Sequence, residues 1–288
     1  MSAPPLRQAV VFTAAAYLLC LAIALALPGW ELTPLVAAIV PVVAVAMTIG
    51  FTTRAGSRRA GWAGIGVRRP TIRGLLIALA LPVAVSSASF ATAAVMGVVS
   101  LSGLVIGNLL PVVVNLTVTV AVFSVLFLGE EVGWRGYLLP RLATVMSGRR
   151  AALATGAVHA VFHLPLLLLT TYQSAGSRFI VVPMVMITVT AAGASYAWLR
   201  WSSGSIATVS TMHAAFNESM ARWSSAVVAT SPAAMAYTTT ETGFVTALLT
   251  ISLACYLLTR RTAVFRDGAR RSRVVLGHPT GDATRHSA

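Results

Sequence analysis

The chain contains a succession of long apolar segments, and these constrain its fold more than any other feature. A helix needs about 20 mostly apolar residues to cross the hydrocarbon core of a bilayer, and within that core it satisfies all its backbone polar groups internally. Candidate spans lie roughly at 8–28, 32–51, 74–99, 106–128, 150–171, 179–199, 204–222 and 242–259. The sequence therefore predicts an all-α fold, a polytopic transmembrane helical bundle with about eight spans.

The composition agrees with a membrane protein. The 288 residues are 57% hydrophobic and 10% charged, whereas a soluble domain carries about 25% charged residues. The net charge of +14 rests on arginine alone, because the chain has no lysine. A basic chain can indicate nucleic-acid binding, but these arginines cluster between the apolar segments, where they act as topology signals. We therefore expect membrane lipids as partners and no nucleic acid.

The arginine distribution also predicts the orientation. Most arginines follow the second, fourth, sixth and eighth candidate spans, and only Arg178 and Arg222 fall on the opposite side. The positive-inside rule then predicts a multi-pass protein of the cell membrane with both termini in the cytoplasm. Residues 1–259 form the predicted transmembrane domain, and the polar, basic tail 260–288 is expected to be disordered.

Two adjacent carboxylates, Glu130 and Glu131, directly follow an apolar segment in a chain with only seven acidic residues. A charge near hydrocarbon is costly unless paired or hydrated, so such groups indicate chemistry or transport. On a helix, Glu131 and Arg135 share a face, while Glu130 points about 100° away. We expect Arg135 to neutralise Glu131 and Glu130 to act as a general base. The alternative is that both carboxylates end a helix at the level of the headgroups.

Two further pairs of polar residues lie four apart on apolar segments. His159 and His163 have the spacing of helical zinc ligands, but the glutamate that follows the first histidine in the common zinc-protease motif is replaced by Ala160. If the protein is metal-dependent, His163 and His159 are the expected zinc ligands. The alternative is that both histidines are buried and hydrogen-bonded to backbone groups or to each other. His213 and Asn217 can donate hydrogen bonds to an oxyanion, or can join helices with about 1 kcal/mol each.

Together these groups have the composition of a hydrolase site. A water held between Glu130 and His163 would be activated for attack, and His213 and Asn217 would stabilise the charge on the carbonyl oxygen. Intramembrane glutamates and histidines also serve as proton relays, so a proton-coupled membrane transporter is the alternative.

These residues resemble the CPBP family, which contains the type II CAAX prenyl endopeptidases and the bacteriocin-immunity or Abi-type membrane proteins. The resemblance extends over about residues 120–222, the expected protease core. The family motifs Glu-Glu-x-x-x-Arg, Phe-x-x-x-His and His-x-x-x-Asn are matched by Glu130, Glu131 and Arg135, by His163, and by His213 and Asn217. One position departs from the family, because His159 stands where the second motif has phenylalanine.

The resemblance implies an intramembrane endopeptidase, of metallo- or glutamate type, that acts on a peptide or lipidated protein substrate such as a prenylated CAAX protein. It also implies that Glu130 and His163 activate water and that His213 and Asn217 form the oxyanion hole. Glu131 and Arg135, which helix geometry pairs, complete the predicted catalytic set. A non-catalytic immunity or scaffold protein of the same fold is a further alternative. The sequence carries no signal for an oligomeric state.

Overall fold

A computed structural model describes residues 3–103 and 109–277, which are almost wholly helical. The helices are α1 (Pro5–Ala26), α2 (Thr33–Ala37), α3 (Val40–Thr52), α4 (Arg58–Ala63), α5 (Ile72–Val95), α6 (Leu109–Glu131), α7 (Leu139–Val145), α8 (Gly148–Phe162), α9 (Leu164–Leu169), α10 (Arg178–Ser203), α11 (Ile206–Ala226), α12 (Pro232–Thr238), α13 (Phe244–Arg260) and α14 (Thr262–Val275). Short 3-10 turns occur at Ala55–Ser57 and Leu101–Gly103, and the two-residue strands β1 (Val99–Ser100) and β2 (Val228–Ala229) pair antiparallel.

The all-α polytopic bundle is confirmed, with fewer spans than predicted. Six helical stretches of the described residues are long and apolar enough to cross a membrane: Pro5–Ala26, Thr33–Thr52, Ile72–Val95, Val113–Val145, Gly148–Leu169 and Arg178–Ser203. A seventh exists only if α13 and α14, which are bent by 74° from each other, count as one. The 17 residues of α13 extend about 26 Å, short of a core of about 30 Å. The predicted span 204–222 forms α11, which is too polar to qualify.

The structure corrects the expectation of a disordered tail from Arg260, because residues 262–275 form α14. One side of α14 buries Phe265, Gly268, Ala269 and Ser272, a spacing that makes an amphipathic helix. This side packs on α7, α8 and α10. A Cβ at Gly268 would overlap the Trp201 indole, so the glycine permits close contact. Residues 278–288 of the predicted tail lie outside the described residues.

Three helices carry the polar motifs into the interior of the bundle. Helix α11 packs between α5 and α6, and α8 packs along α10. Gly156 on α8 faces Gly193 on α10, and a Cβ on Gly156 would meet the Thr190 carbonyl. Small residues at a crossing let two helices approach closely. Further along α8, His159 contacts Glu130 at the end of α6.

The stretch after Glu131 is a π-helix, Val132–Leu138, which joins α6 to α7. Trp134, Arg135 and Tyr137 of this segment are fully buried, and Trp134 and Tyr137 pack against Phe12 of α1. A π-helical turn is rare and is found mostly at functional sites, because it redirects side chains relative to an α-helix. Here it holds the arginine of the first motif in the interior.

Candidate active site

Glu131 and Arg135 form a fully buried ion pair, as their spacing predicts. Arg135 Nη1 donates to Glu131 Oε1 at 3.0 Å and to Oε2 at 3.2 Å, and both side chains are 0% exposed. The guanidinium carbon of Arg135 lies 4.6 Å from the centre of the Tyr196 ring. A buried charge is tolerated when it is paired and hydrogen-bonded in this way. Glu131 is therefore a fixed, neutralised acceptor and is not free to act as a base.

His213 is oriented by this ion pair. Its Nδ1 lies 2.9 Å from Glu131 Oε1, and because a carboxylate paired with arginine only accepts, Nδ1 is the donor. The imidazole stacks on Phe127, with ring centres 4.3 Å apart and planes 6° apart, and also lies against Tyr196. With Nδ1 committed to Glu131, Nε2 is the nitrogen left to contact a ligand.

Glu130 is held by His159. His159 Nε2 lies 2.8 Å from Glu130 Oε2, and His159 Nδ1 lies 3.3 Å from Arg135 Nη1. Arginine has only N–H donors, so Nδ1 accepts and Nε2 must carry the proton that His159 donates to Glu130. Both ring nitrogens of His159 are therefore occupied. Glu130 keeps its second oxygen, Oε1, for other partners.

His163 lies at the junction of α8 and α9, where Pro165 prevents α8 from continuing. Its Nδ1 donates to the His159 carbonyl at 3.0 Å, since a carbonyl oxygen only accepts. This bond fixes the tautomer and leaves Nε2 as an acceptor. The His163 ring is half-buried, 5.0 Å from the His159 ring and 6.4 Å from the Tyr172 ring, measured between centres.

Four of the seven predicted residues meet around one cavity of about 370 Å³. Its lining includes Glu130 from α6, His163 from the α8–α9 junction, and His213 and Asn217 from α11. A smaller neighbouring cavity of about 40 Å³, large enough for a water, is lined by His159, His163, His213 and Asn217. Glu131 and Arg135 line neither cavity and support the other residues from behind.

Three residues of the site were not predicted from the sequence. Tyr172 Oη donates to Glu241 Oε1 at 2.9 Å and Gln173 Nε2 donates to the same oxygen at 2.6 Å. Tyr172 and Glu241 line both cavities, and Gln173 lines the larger one. Burial and the nearby Glu241 carboxylate raise the pKa of the Tyr172 hydroxyl well above its usual range, so Tyr172 remains a neutral donor. Glu241 is one of only seven acidic residues, and this rarity was the signal that could have identified it.

The loop that carries Tyr172 is fixed by one arginine. Arg178 Nη1 donates to the carbonyls of Tyr172 and Gln173 at 2.9 and 2.8 Å, and Nη2 donates to Thr170 at 3.2 Å. Gln173 adopts a left-handed conformation with φ of 52°, a conformation that is uncommon for residues other than glycine. The sequence pattern indicates a role for Arg178 only in the membrane orientation, but its hydrogen bonds also shape one wall of the cavity.

The histidines fit a zinc site poorly in this arrangement. His159 has no nitrogen free for a metal, and the Arg135 guanidinium lies directly against its Nδ1. Among the residues that the structure describes, no group of three His, Cys, Asp or Glu side chains is placed to hold a metal ion. Structural and catalytic zinc sites use at least three such protein ligands. The side chains that line the cavity can themselves accept and donate the protons that a hydrolysis requires.

Comparison with known proteins identifies the segment that contains this site. Residues 112–219 match a family model described as type II CAAX prenyl endopeptidase Rce1-like. The matched segment begins in α6 and ends in α11, and it contains all seven residues predicted from the motifs, while Glu241 lies outside it. The resemblance inferred from the three motifs is thereby confirmed. No curated protein matches the chain.

Proposed function

Because residues 112–219 match the family model of the Rce1-like type II CAAX prenyl endopeptidases, we propose that this membrane protein is an intramembrane endopeptidase. Its substrates are membrane-associated or prenylated (CAAX-type) peptides and proteins. The observation that carries the proposal is the convergence of Glu130, His163, His213 and Asn217 on one cavity within the bundle. The apolar part of the cavity wall, which includes Phe123, Phe127 and Leu166, suits a substrate that enters from the bilayer.

Glu130 is the general base in this proposal. His159 holds its Oε2 through a hydrogen bond, so Oε1 is available to a water in the cavity. His163 Nε2, an acceptor because Nδ1 donates to the His159 carbonyl, binds the second hydrogen of that water. As the water oxygen attacks the scissile carbonyl carbon, its proton passes to Glu130. The protonated Glu130 then gives this proton to the leaving amine as the carbon–nitrogen bond breaks.

His213 and Asn217 stabilise the oxyanion that forms on the carbonyl oxygen. The Asn217 amide supplies an N–H group, and His213 supplies a second donor when its Nε2 carries a proton. Glu131 and Arg135 hold the His213 ring in place through Nδ1, so this donor needs no reorientation during the reaction. Preorganised donors of this kind contribute about 10²–10³-fold each to the rate.

The remaining assignments rest on the sequence pattern. We place the protein in the cell membrane with both termini in the cytoplasm, because the arginines cluster on that side of the predicted spans. A proton-coupled carrier would need these groups along a path through the bilayer, whereas they surround a single cavity. The endopeptidase is therefore the function that the geometry supports best.

The test is cleavage of quenched peptide substrates by the purified protein in liposomes. A prenylated CAAX-type peptide and its unprenylated counterpart are compared, with wild type and His163→Ala run in parallel. We expect wild type to cleave and His163→Ala to lose cleavage while its thermal unfolding is unchanged. Equal cleavage by the two proteins, or no cleavage of either peptide by wild type, contradicts the proposal. The ratio of rates for the two peptides identifies the substrate class.

A further inference from the structure

A second cavity, of about 280 Å³, lies at one end of the bundle, away from the candidate active site. Its walls come from the loop before α5, the π-helix and α7, the end of α10, and α14. Four arginines line it, namely Arg68, Arg141, Arg200 and Arg271, and none of the described residues in its lining is acidic. We call this cavity the arginine pocket. None of the residues predicted for catalysis contributes to it.

Among the described residues, three of the four arginines have only neutral hydrogen-bond partners, and the Arg68 side chain has none. Arg200 Nη2 donates to the Ile65 carbonyl at 3.0 Å and Arg271 Nη2 donates to the Trp201 carbonyl at 2.8 Å. Arg141 donates to the Gln8 amide oxygen at 2.8 Å and to the Tyr137 carbonyl at 2.9 Å. In the described part of the chain, none of the four has a carboxylate within 4.0 Å. Within that same part, Arg200 Nε is buried without a hydrogen-bond partner.

The backbone around the pocket is shaped to bring these side chains together. Gly66 has a φ of 83°, and a Cβ there would overlap the Arg200 guanidinium. Gly204 has a φ of 71°, and its Cβ would lie 3.5 Å from Arg68 Cδ. The two loops are tied to each other, because Ser205 Oγ donates to the Arg68 carbonyl at 2.8 Å. The backbone conformation of the two glycines and the hydrogen bond between the two loops therefore hold Arg68 and Arg200 at the pocket.

Four like charges around one cavity repel each other, and an anion in the cavity would offset that repulsion. Guanidinium groups present planar N–H forks that match phosphate oxygens. The pocket lies at the level of the membrane surface, because it is lined by the end of the candidate span Arg178–Ser203 and by Arg68, just before the candidate span Ile72–Val95. Basic pockets between transmembrane helices at that level bind phospholipid headgroups. We propose that the arginine pocket is a binding site for a phosphate-bearing anion, either an anionic phospholipid headgroup or free phosphate.

Two double variants with the same net charge test whether the arginine pocket binds the anion. Arg68→Gln/Arg271→Gln removes two pocket arginines that are exposed enough to be replaced without disturbing the core. Arg69→Gln/Arg270→Gln removes the exposed neighbours of these residues in the sequence, which do not line the pocket. Both pairs lower the net charge equally. The single variant Arg68→Gln, whose side chain makes no hydrogen bond among the described residues, serves if the first pair unfolds.

Binding is measured on the full-length protein in two arms. Phosphatidylglycerol is titrated into phosphatidylcholine nanodiscs and followed by native mass spectrometry, and inorganic phosphate is titrated in detergent and followed by thermal unfolding. We expect saturable binding to wild type and to Arg69→Gln/Arg270→Gln. The pocket pair should bind about 25-fold more weakly, at about 5-fold for each arginine. The arm that saturates identifies the source of the phosphate.

Two outcomes overturn the proposal. If neither phosphatidylglycerol nor inorganic phosphate binds wild type saturably, the pocket is not an anion site. If Arg69→Gln/Arg270→Gln weakens binding as much as the pocket pair does, the protein attracts anions through general surface charge. Because neither arm measures cleavage, failure here is distinguishable from failure of the proposed endopeptidase activity.

Discussion

His159 Nε2 lies 2.8 Å from Glu130 Oε2, while Nδ1 of the same ring lies 3.3 Å from Arg135 Nη1. The histidine thus links the proposed general base to the buried ion pair of Arg135 and Glu131. This chain of hydrogen bonds fixes the His159 tautomer and presents Glu130 as an acceptor with one free oxygen. The side chain that replaces the phenylalanine of the second motif is therefore a positioning residue for Glu130.

His159→Phe restores the phenylalanine of the motif and removes both hydrogen bonds. We expect kcat to fall about 10–100-fold with little change in KM. This loss is a fraction of the rate enhancement of about 10²–10⁴-fold that a positioned general base contributes. His159→Gln, which keeps an N–H donor for Glu130, should recover part of the lost kcat. Steady-state kinetics of the three proteins check this. Full activity of His159→Phe would show that Glu130 does not depend on this bond.

The ion pair of Glu131 and Arg135 should dominate local stability, because both side chains are fully buried. Arg135→Leu removes the cation that neutralises the buried Glu131 carboxylate, which then keeps only the hydrogen bond from His213. It should lower the free energy of unfolding by about 3–5 kcal/mol. Glu131→Leu/Arg135→Leu should be less destabilised than either single variant, since it leaves no unpaired charge. Denaturant unfolding in detergent measures the cycle. Additive single effects would contradict a coupled pair.

The crossing of α8 and α10 should be sensitive to a single methyl group. Gly156→Ala places a Cβ against the Thr190 carbonyl, so α8 must shift and His159 moves with it. We expect lower kcat together with a lower unfolding temperature. Gly50→Ala on α3 is the matched control, because no atom lies within 4 Å of its added Cβ. It should be neutral or stabilising by up to about 1 kcal/mol. Unchanged kinetics in Gly156→Ala would mean that the crossing does not position the site.

Chelation should leave activity unchanged, because both nitrogens of His159 are bonded to protein groups. The measurement is the cleavage rate after dialysis against a zinc chelator, with and without added zinc. A zinc site needs about three protein ligands, and among the described residues no group of three His, Cys, Asp or Glu side chains is placed to hold a metal ion. A rate that falls on chelation and returns only with zinc would contradict the metal-free mechanism.

Much of the site could be predicted because its signals are local. The i, i+4 spacing of Glu131 and Arg135 predicts their ion pair, which the structure contains. Carboxylates and histidines on separate apolar segments predict a shared polar interior, because hydrocarbon leaves them no other partners. The four residues expected around a water do line one cavity.

The remaining features depend on packing that spacing does not encode. The contact of His159 with Glu130 joins two helices at positions 29 residues apart in the sequence. Glu241 reaches the site from the loop before α13, distant in sequence from the motifs. The polar and basic composition of residues 260–288 predicts disorder, whereas residues 262–275 form helix α14. The apolar side of this helix is narrow and includes Gly268 and Ser272, so it changes the composition of the segment little.

The central claim is that Glu130 is the base of a peptidase, and a matched pair of isosteric variants tests it most directly. Glu130 and Glu218 both line the larger cavity and are both buried, but Glu218 has no role in the proposed reaction. Cleavage of quenched peptides in liposomes is compared for Glu130→Gln and Glu218→Gln, with thermal unfolding as the check on folding. We predict that Glu130→Gln loses at least about 10²-fold in kcat and that Glu218→Gln stays within about 3-fold of wild type. Equal losses in the two variants, or full activity of Glu130→Gln, would contradict the assignment.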